Sequence, residues 1–283
     1  MSGIEINIDP IIFRFGSFAL GWYGLAIALA IIAALFVAVR EGQRKGIGKD
    51  VVYSLALWGI VAGFIGARLF HVVDKLDYYA ANPWAIFAVH QGGLAIWGGV
   101  AGGTLAVAIY ARVRGLPLAR LADGAVPALL VAQIIGRIGC IVNGDAYGGT
   151  TGLPWGFIYT HPDASIPSYL WGVATHPYPV YEMLWNFAVL LLLWRIRKRV
   201  RIDGLLFFAY LFFYSLGRFV LTFVRQERIW FWELQEAQVI ALFVLLASVL
   251  AVLYLQRKRM SRTGLIPVAD DHGNHAAQSE RGR

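Results

Sequence analysis

The chain has 283 residues, 58% of them hydrophobic and only 15% charged, with a formal charge of +8 and a mean hydropathy of +0.60. That balance excludes an ordinary soluble domain and reads as a polytopic membrane protein. The positive charges sit at the ends of apolar stretches, where topology markers sit, so they imply no nucleic acid. The single cysteine, Cys140, excludes an internal disulfide and a cysteine-based metal cluster.

Met1 to Pro10 lack the basic flank of a secretory signal, and the apolar run that follows is too long to be one, so it reads as a true span. Stretches of about 20 residues, the length that crosses a bilayer, cover 17–39, 51–73, 92–111, 122–142, 180–195, 203–224 and 237–256. The expected fold is an all-α integral membrane protein with seven transmembrane helices. One domain is expected over 1–260, followed by a polar, disordered tail over 261–283. The fifth span is short, and calls for tilt, snorkelling of Arg195 or extension through Tyr178.

Basic residues crowd the connections after the first span (Arg40, Arg44, Lys45, Lys49), the third (Arg112, Arg114, Arg120) and the fifth (Arg195 to Arg201). Those connections are expected in the cytoplasm, with the N-terminus outside and the C-terminus inside. The third span carries Gly98, Gly99, Gly102 and Gly103, which allow close approach of a neighbouring helix. Between the fourth and fifth spans, residues 143–178 contain no Lys or Arg and many Gly, Pro, Trp and Tyr. This suits a small folded cap at the outer interface. Trp155, Tyr159, Tyr169, Trp171 and Tyr178, with Trp230 and Trp232 in the last outer connection, fit an interfacial aromatic belt.

Arg68, Arg137 and Arg218 fall inside spans, each a few residues from the outer end, which puts them at a common depth of roughly 6–9 Å. An arginine in hydrocarbon costs about 2.5–3.5 kcal/mol on insertion scales and so marks a functional site by default. A planar guanidinium suits bidentate recognition of phosphate. A structural, ion-paired role is an equal reading for Arg68. Arg137 and Arg218 are the stronger candidates because polar residues accompany them. Gln133 lies one turn before Arg137, and Asn143, Asp145 and Tyr147 follow it, alternating with Gly144, Gly148 and Gly149. Tyr214, Arg218 and Thr222 share one helical face, with Arg225 a turn further on. No His-Glu-x-x-His, Cys-x-x-Cys or Walker loop is present, nor a pair of mid-membrane aspartates, so no metal site and no cofactor are expected. The residues themselves point to a site for a lipid phosphate near the outer face of the bilayer. A transporter of an anion or phospholipid is the rival reading. The absence of an internal repeat, and arginines placed away from the midplane, weigh against it.

Gly136-Arg-Ile-Gly-Cys-Ile-Val-Asn-Gly-Asp-Ala-Tyr-Gly148 resembles the signature of the prolipoprotein diacylglyceryl transferases. The likeness continues in Gly21-Trp-Tyr-Gly24, Gly63 to Arg68, His90 to Gly99, His176 to Glu182 and Tyr214 to Gln226. It implies a multi-pass protein of the bacterial inner membrane whose active site and cap face the periplasm. It also implies transfer of the diacylglyceryl group of phosphatidylglycerol to the lipobox cysteine of a prolipoprotein, with release of glycerol phosphate. Tyr23, Arg137, Asn143, Gly148, Tyr214 and Arg218 match the family's important positions, and Asp145 stands where Glu is usual. Trp97, Cys140, Gly149 and Thr222 replace a frequent His, Asn, Arg and Glu, so a histidine base cannot be carried over to position 97.

On that resemblance Arg137 and Arg218 would bind phosphate and stabilise the leaving group, with Arg225 as a third contact. Tyr23, Asn143 and Asp145 would position headgroup or peptide. His90 is the first candidate base for the incoming thiol and His176 the second. A third possibility needs no strong base, because the arginines themselves favour the thiolate. Cys140 reads as a space-filling thiol, since the acceptor brings its own sulfur.

Overall fold

The computed structural model describes residues 3–16, 18–88, 92–225, 229–231 and 234–262. Its helices are α1 (Trp22–Arg44), α2 (Lys49–Asp74), α3 (Leu76–Ala81), α4 (Ile96–Val113), α5 (Leu118–Asn143), α6 (Tyr178–Ile196), α7 (Leu205–Thr222) and α8 (Glu236–Arg262). All but the short α3 are long and apolar enough to cross a membrane, which gives seven spans. The chain is a multi-pass membrane protein.

Helix boundaries follow local chemistry that hydropathy does not register. The first span, expected over 17–39, begins instead at Trp22. The residues before it form an antiparallel hairpin of β2 (Ile11–Phe15) and β3 (Phe18–Gly21), and the turn is made by Gly16 at φ +58°. At its other end α1 runs on to Arg44 because Glu41 is buried there between Arg44 at 2.7 Å and Arg197 at 3.0 Å. α7 starts at Leu205, two residues later than expected, because Gly204 at φ +89° turns the chain into the helix.

α5 is the central helix. Its most apolar window is 33% buried, against 11% for α1, α2 and α4, whose side chains mostly face outward as lipid-facing side chains do. α5 packs against α1 on one side and α6 and α7 on another, while α2 pairs with α4 and α7 with α8. The α2–α4 contact is backbone to backbone. A Cβ on Gly66 would meet the Gly98 carbonyl, and one on Gly98 would meet the Gly66 carbonyl. We expect Gly98→Val to force the pair apart and cost about 1–3 kcal/mol, read as a fall in thermal midpoint in detergent; an unchanged midpoint would contradict the packing.

One end of the bundle is held by charge. Asp123, fully buried, accepts from Lys45 Nζ at 3.0 Å and from the backbone N–H groups of Gly204 (3.0 Å) and Phe207 (2.9 Å). A carboxylate on α5 thus caps the N-terminus of α7, where orphan donors and the helix dipole favour negative charge. Arg120 adds a pair with Asp203 at 3.0 Å.

At the other end, residues 144–177 fold over the bundle. Gly144 at φ +74° ends α5. β4 (Phe157–Tyr159) lies between β1 (Ile4–Ile6), parallel to it, and β5 (Ala174–Thr175), antiparallel. Phe157, Tyr159, Ala164, Ile166 and Leu170 make a small core beneath this sheet. Tyr159 donates to the Ile141 carbonyl at 2.9 Å, and the Ser165 N–H donates to that of Asn143 at 2.8 Å, so this unit is bonded to the last turn of α5. Burial, with Asp145 and Cys140 nearby, pushes the Tyr159 hydroxyl well above its usual range, which keeps it protonated as a donor.

Candidate active site

The ends of α5, α6 and α7 meet under the cap, and each brings a charged residue. Arg137 comes from α5. Its Nη2 donates to Glu182 Oε1 on α6 at 2.8 Å and lies 2.7 Å from Oε2. Arg218 on α7 approaches the same carboxylate at 3.9 Å and donates through Nη1 to the Tyr178 hydroxyl at 2.7 Å. Tyr178 and Glu182 stand one turn apart on α6 and both are buried. Arg225, just beyond α7, lies over the Tyr178 ring at 5.0 Å. The site is therefore a pair of guanidinium groups on one buried carboxylate, with a third over the adjacent tyrosine ring, and these four groups carry an excess of positive charge.

Close backbone approach makes this convergence possible. Trp185, less than a turn after Glu182, lays its indole against Gly217 and donates to the Phe213 carbonyl at 2.9 Å. Any side chain at 217 would strike that ring, so the Gly217-Arg218 pair lets α6 and α7 close on each other beside Glu182. On the far side of α5, Gly139 permits contact with Tyr23 of α1, which brings Tyr23 within electrostatic reach of Cys140, Asp145 and Arg137. Tyr23 remains 40% exposed, so its ring is accessible from outside the bundle.

The glycine-rich turn after α5 is stitched to α7. The Gly148 N–H bonds the His176 carbonyl at 3.0 Å, and the Gly149 N–H bonds that of Val224 at 2.8 Å. Gly148 also bridges Arg225 through the backbone, and a Cβ on it would collide with His176 and the Val224 carbonyl. Gly148 thus has a packing reason for being glycine, and it fixes where Arg225 enters the site. Asn143 donates to Asp145 at 3.1 Å, and Asp145 itself is exposed. Below them Gln133 donates to Tyr210 at 2.7 Å, and Tyr210 stacks on Tyr214. Tyr147 carries a hydroxyl raised by burial and by neighbouring Tyr169.

Arg68 does not join this cluster. Its guanidinium donates to the carbonyls of Ala85, Ile86, Gly92 and Gly93 and lies over Tyr79. It holds the α3–α4 connection against α2, which is the structural reading of the two. His90, the first candidate base, and Gln226 and Trp232 lie outside the described residues. His176, the second candidate base, has Nδ1 3.3 Å from the Tyr181 hydroxyl, which accepts from Trp155 Nε1 at 3.1 Å. Cys140 is buried with its sulfur 3.5 Å from Arg137 Nη1. Among the described residues one group has metal-ligand spacing, Asp9, His161 and Asp163, and there Asp163 is already paired with Arg14 at 2.6 Å. Glu182 escaped the sequence reading as a site residue because a lone carboxylate near a helix start carries no distinguishing spacing.

A family model described as prolipoprotein diacylglyceryl transferase matches residues 10–254. The chain belongs to that family. It is 35% identical over 89% of its length to a phosphatidylglycerol–prolipoprotein diacylglyceryl transferase of Clostridioides difficile, covering 97% of that protein. Proteins of the same name from Dehalococcoides mccartyi and Bacillus cereus are each 36% identical over 90% of this chain, which covers 96% and 94% of them. Family membership covers all three arginines of the cluster, Glu182 and most of the cap.

Proposed function

We propose that the chain transfers the diacylglyceryl group of phosphatidylglycerol to the lipobox cysteine thiol of prolipoproteins. The observation that carries this reading is the convergence of Arg137 and Arg218 on Glu182 at one end of the bundle, with Arg225 over the neighbouring Tyr178 ring, in a chain of this family. We assign that end to the periplasmic face of the bacterial inner membrane and the opposite, basic end to the cytoplasm, so the N-terminus lies outside. In the same reading, 1–260 is one membrane domain, 143–178 its periplasmic cap and 261–283 a cytoplasmic tail.

The reaction is a displacement at the glycerol carbon that bears phosphate. Arg137 and Arg218 hold the phosphodiester and meet the charge that develops on its oxygens; because protein contacts already orient both, little reorganisation opposes the step. Arg225 supplies a third cationic contact. Tyr23, Asn143, Asp145, Gly148 and Tyr214 line and shape the approach of headgroup or peptide. The positive field of the arginines favours the attacking thiolate, and His90 is the side chain we assign to receive its proton.

The test is mass spectrometry of a synthetic lipobox peptide incubated with purified protein in phosphatidylglycerol vesicles. A gain of one diacylglyceryl group, dependent on the peptide cysteine, is expected. An unmodified peptide, or flux of labelled lipid without conversion, would overturn the reading. In the same assay Cys140→Ala should retain full activity, and a strong loss would give this buried thiol a part in the chemistry.

A further inference from the structure

We propose that Glu182 is a positioning residue that sets the charge of the arginine site, joining Arg137 and Arg218 on one carboxylate and offsetting one positive charge so that the leaving phosphate is stabilised but not retained. This rests on the transferase reading above. Arg137 Nη2 lies 2.8 Å and 2.7 Å from the two oxygens of Glu182, and Arg218 lies 3.9 Å from the same carboxylate. One buried negative charge therefore faces two guanidinium groups, and it offsets part of the positive charge of a cluster that must also accept a second anion.

The charges facing Glu182 come from every neighbouring element. α5 presents Arg137 and, beyond it, Cys140, with Asp145 in the turn that follows; α7 presents Tyr214 and Arg218; Tyr178 stands one turn back on α6, with Arg225 over its ring. In the reaction a cysteine S–H gives its proton to solvent by way of the base. The sulfur forms a C–S bond to the glycerol carbon, and the C–O bond to phosphate breaks with its electron pair on oxygen. A singly charged diester and a neutral thiol thus become a thioether and a glycerol phosphate dianion. The site must gain from that extra negative charge and still release it. Three guanidinium groups without Glu182 would bind the dianion too well.

The experiment compares wild type, Glu182→Gln and Glu182→Asp in the full-length protein, with a cysteine peptide and phosphatidylglycerol vesicles. In Glu182→Gln the acid limb of the kcat profile should move down by about 0.5–1 pH unit, since removing a nearby negative charge favours the thiolate of the bound peptide. Inhibition by added glycerol phosphate should tighten by about tenfold and kcat should fall. Glu182→Asp should restore both readouts toward wild type. If Glu182→Gln keeps the wild-type limb and the wild-type inhibition, the proposal is wrong. It is equally wrong if the variant loses activity at every pH and binds glycerol phosphate more weakly, because the carboxylate then serves only to hold Arg137 in place. No thioether from wild type at any pH would overturn the transferase reading itself, and this proposal with it.

Discussion

Arg137→Ala and Arg218→Ala should each lower diacylglyceryl transfer by on the order of 10²–10³-fold, the usual cost of removing one oriented donor from a developing anion. Both side chains are tied to α6, Arg137 through Glu182 and Arg218 through Tyr178, so each loss also leaves a buried partner behind. For Arg137 that partner is a charge. The control is therefore Arg137→Ala combined with Glu182→Gln, which removes the stranded carboxylate and should recover thermal stability without recovering transfer. Initial rates of peptide modification and thermal unfolding in detergent, measured side by side, separate the two effects. Transfer within tenfold of wild type in a folded Arg218→Ala protein would remove that arginine from the chemistry.

The largest stability effect is expected at the opposite end of the bundle, from Asp123→Ala. The substitution leaves Lys45, whose side chain is only 12% exposed, without its anion and leaves the first N–H groups of α7 without an acceptor. Breaking a buried pair from one side costs about 3–5 kcal/mol. Asp123→Asn, which keeps an acceptor for the helix cap and loses the charge, should lie between. Thermal midpoints read this series directly, and three equal midpoints would show that the carboxylate does not hold α7.

The seven spans were legible because each is a long apolar run, and the arginines stood out because charge in such a run is costly. Their ends were less legible. The helix at Trp22 starts late because Gly16 lets a hairpin form before it, and α1 extends to Arg44 because Glu41 pairs with Arg44 and with Arg197 at the end of α6; hydropathy averages both features away. Within the site, residue type identified Arg137 and Arg218, whose cost in hydrocarbon is visible in one dimension. Polar neighbours ranked them above Arg68, for which a structural role was an equal reading; only the fold shows where the donors point, into carbonyls of its own loop in one case, toward a shared carboxylate in the other. Glu182 and Asp123 were invisible for the same reason. Each matters through partners dozens of residues away.

The pairing of β1 with β4 joins Ile4 to Phe157, with four spans between them. During synthesis the first strand therefore emerges with no partner and waits while α1, α2, α4 and α5 are inserted. At ordinary elongation rates of about 5–20 residues per second, that delay is roughly 8–30 s. The backbone bridge from Gly148 to Arg225 can close only after two further spans have followed. The arginine cluster is thus among the last features to assemble, and a chain halted before α7 would be threaded up to that point yet hold only Arg137 of the three.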